Sequence, residues 1–273
     1  QLVRLKHRPS CDVWGLFLFA EHMVRTCGKK GLEAVRLMLK SKQEKVKAAA
    51  AAVLARKKQN IPADELLAIL KKDTSETAEY AAIALGFAGV KKAVPALKHL
   101  LHTDKEAPPE DAVVYEPADD MGIAFALALL GDEEGWRLLE KNLKGKFWEK
   151  RKACAYLGRV GGERALKMLR SVLREGDERV LDAALKALVF CGTADDFDTV
   201  AGFVGSSVVE IRLMAAAAVA AIAARNKKQL AKRAQKILSS LHPHEIRHLI
   251  RGYTLGGLDD VVSFLKDALK NRR

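Results

Sequence analysis

Apolar residues recur along this chain at helical spacing, in units of about thirty residues. Between residues 147 and 175 (FWEKRKACAYLGRVGGERALKMLRSVLRE), two helical patterns flank the turn Gly161-Gly162. The second pattern has its apolar residues three and four positions apart, on one stripe: Ala165, Leu166, Leu169, Val172 and Leu173. Two such helices cannot bury both of their apolar faces against each other. The pattern therefore predicts further copies that pack against them.

The Ala-rich first helix of this unit recurs along most of the chain, ending at Ala55, Gly86, Gly131, Gly158, Leu188, Ala220 and Gly256. We predict about eight helix pairs, near residues 11–41, 44–72, 75–102, 118–144, 147–174, 177–206, 208–240 and 243–271. Small residues let neighbouring first helices approach closely, and a terminal glycine is expected to end its helix in a left-handed turn. The alanines expected to be buried there are Ala153, Ala155, Ala184, Ala187, Ala216 and Ala217. The absence of any alternating strand pattern predicts an all-α chain.

These units resemble the HEAT family, in particular its short bilin-lyase-like variety. The match consists of an Arg near the start of the first helix, an Ala-rich run, Leu-Gly, a short turn and a Leu-rich second helix. Arg151, Arg212 and Arg247 occupy the Arg position, and Arg179 is one place away. The resemblance implies a right-handed α-solenoid superhelix of antiparallel pairs, with the second helices lining its concave face. It leaves function open, since HEAT arrays include scaffolds, transport receptors, bilin lyases, DNA glycosylases and an iron hydroxylase.

We expect a single HEAT-like domain over residues 1–273, with an acidic, Pro-rich loop insertion at residues 103–120. Pro108, Pro109 and Pro117 exclude a regular helix there. This loop lies in the most acidic part of the chain, because residues 59–135 have 6 basic and 15 acidic groups. The next segment has the opposite sign, since residues 136–180 have 13 basic and 6 acidic groups.

Basic residues in the second helices lie opposite the apolar stripe. In the fourth, fifth and seventh pairs these are Arg137, Lys141, Lys144, Arg164, Lys167, Arg170, Arg174, Lys228, Lys232 and Lys236. They predict a basic stripe on the concave face, interrupted in the sixth pair by Asp195, Asp196 and Asp198. Such a stripe would attract phosphates or acidic proteins. The alternative is a solvated polar face, which every repeat helix must have.

One string matches the metalloprotease pattern H-E-x-x-H, from His244 to His248. A helix that buries Ile246 and Leu249 would place His244 and His248 on the side opposite its core. No third ligand is near enough in the sequence, so we predict neither a metal site nor a catalytic residue nor a cofactor. The motifs of the enzymatic HEAT groups also have no residue-by-residue match.

The predicted function is a non-catalytic, protein-binding scaffold that uses the concave face. The alternative is a nucleic-acid-binding HEAT-like protein, related to the DNA glycosylase group, that uses the basic stripe. The four cysteines, Cys11, Cys27, Cys154 and Cys191, form no C-x-x-C pair and predict reduced thiols in the cytoplasm. We expect a monomer without a membrane segment.

Overall fold

The computed structural model describes residues 15–72, 76–102, 120–256 and 258–270. The predicted loop insertion at 103–120 therefore lies outside the described residues, apart from Asp120. Within the described ranges the regular structure is entirely helical, without strands. The predicted all-α, solenoid-type fold of stacked helix pairs is confirmed.

Fifteen α-helices make up the described part of the chain. They are α1 (Gly15–Met38), α2 (Glu44–Arg56), α3 (Ala63–Lys72), α4 (Glu76–Phe87), α5 (Val94–His102), α6 (Met121–Leu129), α7 (Glu133–Leu143), α8 (Phe147–Val160), α9 (Gly162–Glu175), α10 (Glu178–Cys191), α11 (Phe197–Gly202), α12 (Val209–Arg225), α13 (Lys227–Leu238), α14 (Pro243–Gly256) and α15 (Asp259–Lys270). Short 3₁₀ turns occupy Lys91–Ala93, Ala194–Asp196 and Phe203–Gly205. From α2 onward, each even-numbered helix is the first of a predicted pair.

The first predicted pair is one kinked helix. Gly28 has φ 53° and ψ −124°, which divides α1 into two helical arms. Its left-handed backbone requires glycine, because other residues are strained at positive φ. The kink therefore lies within the first predicted pair, residues 11–41.

The chain forms two compact units, residues 1–138 and 139–273, with the border inside α7. In the first unit, α2 packs against α1 and α4, and α4 packs against α6. In the second unit, α10 packs between α8 and α12, and α9 contacts both α8 and α10. The first helices of successive pairs therefore form the core of each unit. The single domain over 1–273 stays a prediction.

The alanine-rich first helices are buried on nearly every side. All residues from Ala48 to Ala55 in α2 and from Ala215 to Ala223 in α12 are buried. Small side chains allow this, because a helix with neighbours on several sides leaves no room for long ones. Five of the six alanines predicted to be buried are so, namely Ala153, Ala184, Ala187, Ala216 and Ala217.

Ala155 is the exception: it is only partly buried, so its burial is less complete than that of the other five alanines. The buried residues of α8 are centred on Leu157. At 100° per residue, Ala155 points about 160° away from Leu157 around the helix. The Ala-rich composition indicated a buried helix correctly, but not which of its positions remains at the surface.

Two of the glycines expected to end first helices have another role. Gly86 and Gly158 lie inside α4 and α8, where a Cβ atom would lie 3.0 Å from Ala126 Cα and 2.7 Å from Ala187 Cα, respectively. The left-handed turns instead occur three residues later, at Gly89 (φ 69°) and Gly161 (φ 68°). Gly86 and Gly158 therefore allow close helix contact. Gly131 (φ 80°) agrees with the predicted left-handed conformation.

The last pair packs differently from the others. The contact of α12 with α15 is more extensive than its contact with α14, although α14 is the first helix of that pair. Helix α15 buries five residues, Val261, Val262, Phe264, Leu265 and Ala268. In the other pairs, the contact between successive first helices uses small residues. The buried residues of α14, by contrast, include Ile246 and Leu249. Larger side chains prevent the close approach seen between α8 and α10.

Candidate binding surface

Arginines at the start of the first helices connect successive repeats. Arg151 in α8 forms a two-point ion pair with Asp182 in α10, in which Nη2 donates to Oδ2 at 2.7 Å. Arg212 in α12 donates to Oε1 of Glu245 in α14, from Nε at 3.0 Å and from Nη2 at 2.8 Å. These two arginines therefore have a structural role. Arg179 instead pairs with Asp177 at the start of its own helix.

Both carboxylate oxygens of Glu245, the glutamate of the H-E-x-x-H string, accept hydrogen bonds. Besides binding Arg212, Glu245 accepts a 2.8 Å hydrogen bond at Oε2 from the His242 backbone N–H. Burial pushes the pKa of Glu245 upward, but these hydrogen bonds outweigh it and hold the pKa below its ordinary value. His244 and His248 are both exposed. Among the described residues, no group of three His, Cys, Asp or Glu side chains could hold a metal ion.

Acidic side chains in the turn at residues 194–198 form ion pairs with two basic helices, α9 and α13. Asp196 is almost completely buried and accepts a 2.6 Å hydrogen bond from Arg170 Nε in α9. It also binds the backbone N–H of Thr193 at 2.8 Å. Although burial raises it, the pKa of Asp196 lies below its ordinary value because of these donors. Arg170 also pairs with Glu163 at 3.0 Å, so its charge is already neutralised.

On the other side of the turn, Arg233 of α13 forms an ion pair with Asp198. Its guanidinium lies 5.0 Å from the centre of the Phe197 ring, within cation–π distance. The acidic turn therefore binds one arginine from each of its basic neighbours. The aspartates that interrupt the predicted basic stripe thus form ion pairs with neighbouring helices of the second unit.

The other predicted stripe residues differ in how far they are paired. Lys144 bonds to Glu140 one turn earlier at 2.9 Å, and Arg164 is half-buried with interactions of its own. The following seven side chains are exposed and have no ion-pair partner among the described residues: Arg137, Lys141, Lys167, Arg174, Lys228, Lys232 and Lys236.

Among the described helices, α13 has the strongest concentration of unpaired charge. It contains five basic residues and no acidic residue. Lys228, Lys232 and Lys236, called here the α13 lysine face, lie one turn apart on the same side. Like charges at this spacing destabilise a helix by about 0.2–0.5 kcal/mol per pair. Lys228 also lies near the positive end of the helix dipole. This arrangement is unfavourable in the free protein and would be relieved by a bound anionic partner.

A sequence model of the family described as HEAT repeats matches residues 137–221. Over those residues the chain is similar to HEAT repeats. The matched region includes α8 to α11, most of α12, and both inter-repeat arginines, Arg151 and Arg212. The recognised HEAT resemblance is confirmed, while its short bilin-lyase-like variety stays a prediction. A search of curated proteins found no match to the chain.

The structure also contains an exposed aromatic surface that is not part of the predicted basic stripe. Phe147 and Trp148, at the start of α8, are 41% and 39% exposed. Adjacent aromatic residues among lysines were a visible signal, but their position outside the core is decided by packing. Within the described part of the chain, no helix combines the length and apolar character needed to cross a membrane.

Proposed function

We propose that this HEAT-repeat protein is a non-catalytic scaffold that binds an acidic surface of a partner protein through its second helices. HEAT repeats commonly serve as protein-interaction scaffolds. The observation that supports the proposal most directly is the α13 lysine face. Three exposed lysines on one side of a helix without acidic residues attract carboxylates, and pairing with them would remove the repulsion within the helix.

The pattern of pairing favours a protein over a nucleic acid as the partner. A duplex presents uniformly negative phosphates and is best matched by an uninterrupted row of cations. Here the acidic turn at residues 194–198 neutralises Arg170 and Arg233, and Asp195 and Asp198 are exposed. A mixed surface of this kind suits a partner that has both acidic and basic side chains. Nucleic-acid binding through the remaining cations is the alternative.

The proposed setting is cytoplasmic. Cys27, Cys154 and Cys191 are free thiols, as expected in a reducing compartment. Burial raises the pKa of Cys154 to about 12, so this thiol behaves as a small apolar side chain. The monomeric state expected from the sequence stays a prediction.

The test uses the full chain with a photo-crosslinking residue at position 232 in cell extract. We expect adducts with a protein that survive nuclease treatment and disappear when Lys228→Glu and Lys236→Glu are combined. A matched control reverses two exposed lysines of the first unit, Lys57→Glu and Lys72→Glu, and should keep the adducts. The control variant changes the net charge by the same amount. A difference in adduct formation between the two variants therefore shows that the position of the lysines matters, and not the net charge alone.

A parallel titration with duplex DNA separates the two candidate functions. The scaffold proposal expects no measurable binding at micromolar protein and moderate salt. If adducts are sensitive to nuclease, and if log affinity falls with log salt at about −0.9 per phosphate contact, the partner is a nucleic acid. That outcome would replace the proposal by its alternative.

A further inference from the structure

Two neighbouring aromatic side chains lie partly exposed at the start of α8. The rings of Phe147 and Trp148 have centroids 5.1 Å apart and an interplanar angle of 82°, an edge-to-face contact. By contrast, Tyr156 in the same helix and Phe197 in α11 are buried. Since more than a third of each side chain is exposed, this aromatic pair contributes less to the core than its size allows.

Cations hold the aromatic pair in place. Lys146 Nζ lies 4.9 Å from the centre of the Trp148 ring, and Arg179 Cζ lies 5.5 Å from that of Phe147. Arg179 is itself fixed by two 3.0 Å hydrogen bonds to Asp177. The rings are therefore oriented before any partner arrives, which reduces the entropy cost of binding.

The surroundings of the aromatic pair are basic. Residues 141–152 contain six basic side chains and one acidic side chain, Glu149. The Glu149 carboxylate accepts a 2.5 Å hydrogen bond from the Lys146 backbone N–H, which caps α8. Lys150 and Arg151 pair with Glu175 and Asp182. Within this segment, Lys141 and Lys146 are exposed and have no ion-pair partner among the described residues.

We propose that the aromatic pair is the docking site for an extended segment of a partner protein that has one bulky apolar residue flanked by acidic residues. The apolar residue packs on the exposed parts of Phe147 and Trp148, and the acidic residues contact Lys141 and Lys146. Partly exposed aromatic anchors next to cations are common energetic centres of protein interfaces. This inference rests on the proposed scaffold function but uses none of the residues of the α13 lysine face.

Ring geometry argues against a single-stranded nucleic acid at the same place. Successive bases stack on successive parallel rings, whereas these two rings are 82° apart. In addition, Lys146 covers one face of the Trp148 ring, and Arg179 covers one face of the Phe147 ring. An aliphatic or aromatic side chain needs apolar contact area and no parallel pair of rings, so it fits this site better than a run of bases.

The experiment screens the full chain against an array of peptides of about ten residues, a length that spans the site in extended form. Each peptide has a central Leu, Phe or Trp flanked by Asp or Glu, and matched peptides replace either the apolar or the acidic residues by Ser. Fluorescence anisotropy then measures the best binder. Combining Phe147→Ala and Trp148→Ala should weaken it by about tenfold or more. Lys146→Glu should weaken it less.

Two controls keep the result specific. Phe19→Ala removes an aromatic ring that is 58% exposed in the first unit and should not change the affinity. Reversal of the α13 lysine face should also leave peptide binding in place, so failure of this inference and failure of the scaffold proposal can be told apart. Circular dichroism should show unchanged helix content in every variant, because the mutated side chains are exposed.

Three results would overturn the inference. The first is that no peptide binds in a way that depends on Phe147 and Trp148. The second is that peptides lacking either the apolar or the acidic residues bind equally well. The third is that a single-stranded RNA oligonucleotide binds, loses affinity when the aromatic pair is removed, and outcompetes every peptide.

Discussion

At the scale of single residues, the ion pair between Arg212 and Glu245 explains the H-E-x-x-H string without metal chemistry. The buried glutamate caps α14 by accepting from His242 N–H, and it binds the arginine of the preceding first helix. The two histidines lie one position before it and three positions after it, on the exposed side. The string therefore combines a structural glutamate with two surface histidines.

Replacing Glu245 by Ala should destabilise the second unit by about 1–3 kcal/mol, because Arg212 and the His242 N–H lose their acceptor. Combining His244→Ala and His248→Ala should change stability by less than about 0.5 kcal/mol, as is usual for exposed sites. Urea unfolding followed by circular dichroism measures both. A zinc-dependent rise in stability that needs both histidines would contradict this interpretation.

The same pair predicts a pH dependence. Since the pKa of Glu245 is lowered on folding, its stabilisation is complete above the ordinary glutamate pKa of 4.5 and is lost as the pH falls through the folded-state pKa. The wild-type chain should thus lose more stability on acidification below that value than Glu245→Gln does. Urea midpoints measured at a series of acidic pH values test this. Equal slopes for the two proteins would mean that Glu245 is not linked to folding.

At the scale of elements, close contact between first helices depends on positions without a side chain. Gly158 faces Ala187 so closely that an added Cβ would lie 2.7 Å from its Cα atom and 2.9 Å from its carbonyl oxygen. Those atoms belong to the backbone of α10, so they can move only if the helix moves. The contact between α8 and α10 therefore specifies glycine, and alanine is not an equivalent substitute.

Gly158→Ala should destabilise the chain by about 1–3 kcal/mol through overpacking, although alanine favours helix formation by itself. Gly252→Ala is the matched control, because Gly252 is an exposed helical glycine with nothing within 4 Å of its added Cβ. It should stabilise by up to about 1 kcal/mol. Thermal unfolding should give shifts of opposite sign. If both variants are stabilised, the two helices are less closely packed than described.

Ala155 gives a second comparison within the same helix. Ala155→Leu should destabilise the chain less than Ala153→Leu does, since Ala155 is only partly buried. Ala153→Leu should cost about 1–3 kcal/mol, because Ala153 is completely buried. Chemical unfolding of both variants measures the difference. An equal loss for the two variants would show that position 155 is packed as tightly as position 153.

At the scale of the whole molecule, the chain consists of two compact units, each with its own row of packed first helices. In a stacked-repeat protein, stability is approximately the sum of the repeat energies and the energies between neighbouring repeats. A unit that keeps enough neighbours should then fold without the rest. The ion pairs from Arg151 to Asp182 and from Arg212 to Glu245 lie within the second unit and would remain intact there.

A fragment of residues 133–273, which begins with the complete helix α7, should therefore be helical and should unfold cooperatively. A shorter fragment, residues 133–205, lacks α12 and exposes the apolar side of α10, so it should be less helical and prone to aggregation. Circular dichroism and thermal melting compare the two. If the longer fragment is unfolded, residues 1–273 behave as one cooperative domain, as the sequence analysis predicted.

The amino-acid sequence by itself determined the period of the repeat, the all-α class and the position of most helices. These properties are local, because the hydrophobic period and helix-ending signals act over a few residues. The Ala-rich run of α12, whose residues from Ala215 to Ala223 are buried, is likewise visible in the sequence.

The tertiary structure alone decided which cations are available. Lys167 and Arg170 lie one turn apart in α9 and are equivalent in the sequence pattern, yet Arg170 is bound by Asp196 from a later repeat while Lys167 is exposed. It also decided that Ala155 is only partly buried, that Gly158 serves packing and that α15 packs against α12. The physical reason is that charge pairing and close packing can join residues of different repeats, as in the pair of Arg170 with Asp196, which are 26 positions apart. A helical period within one repeat contains no information about such partners.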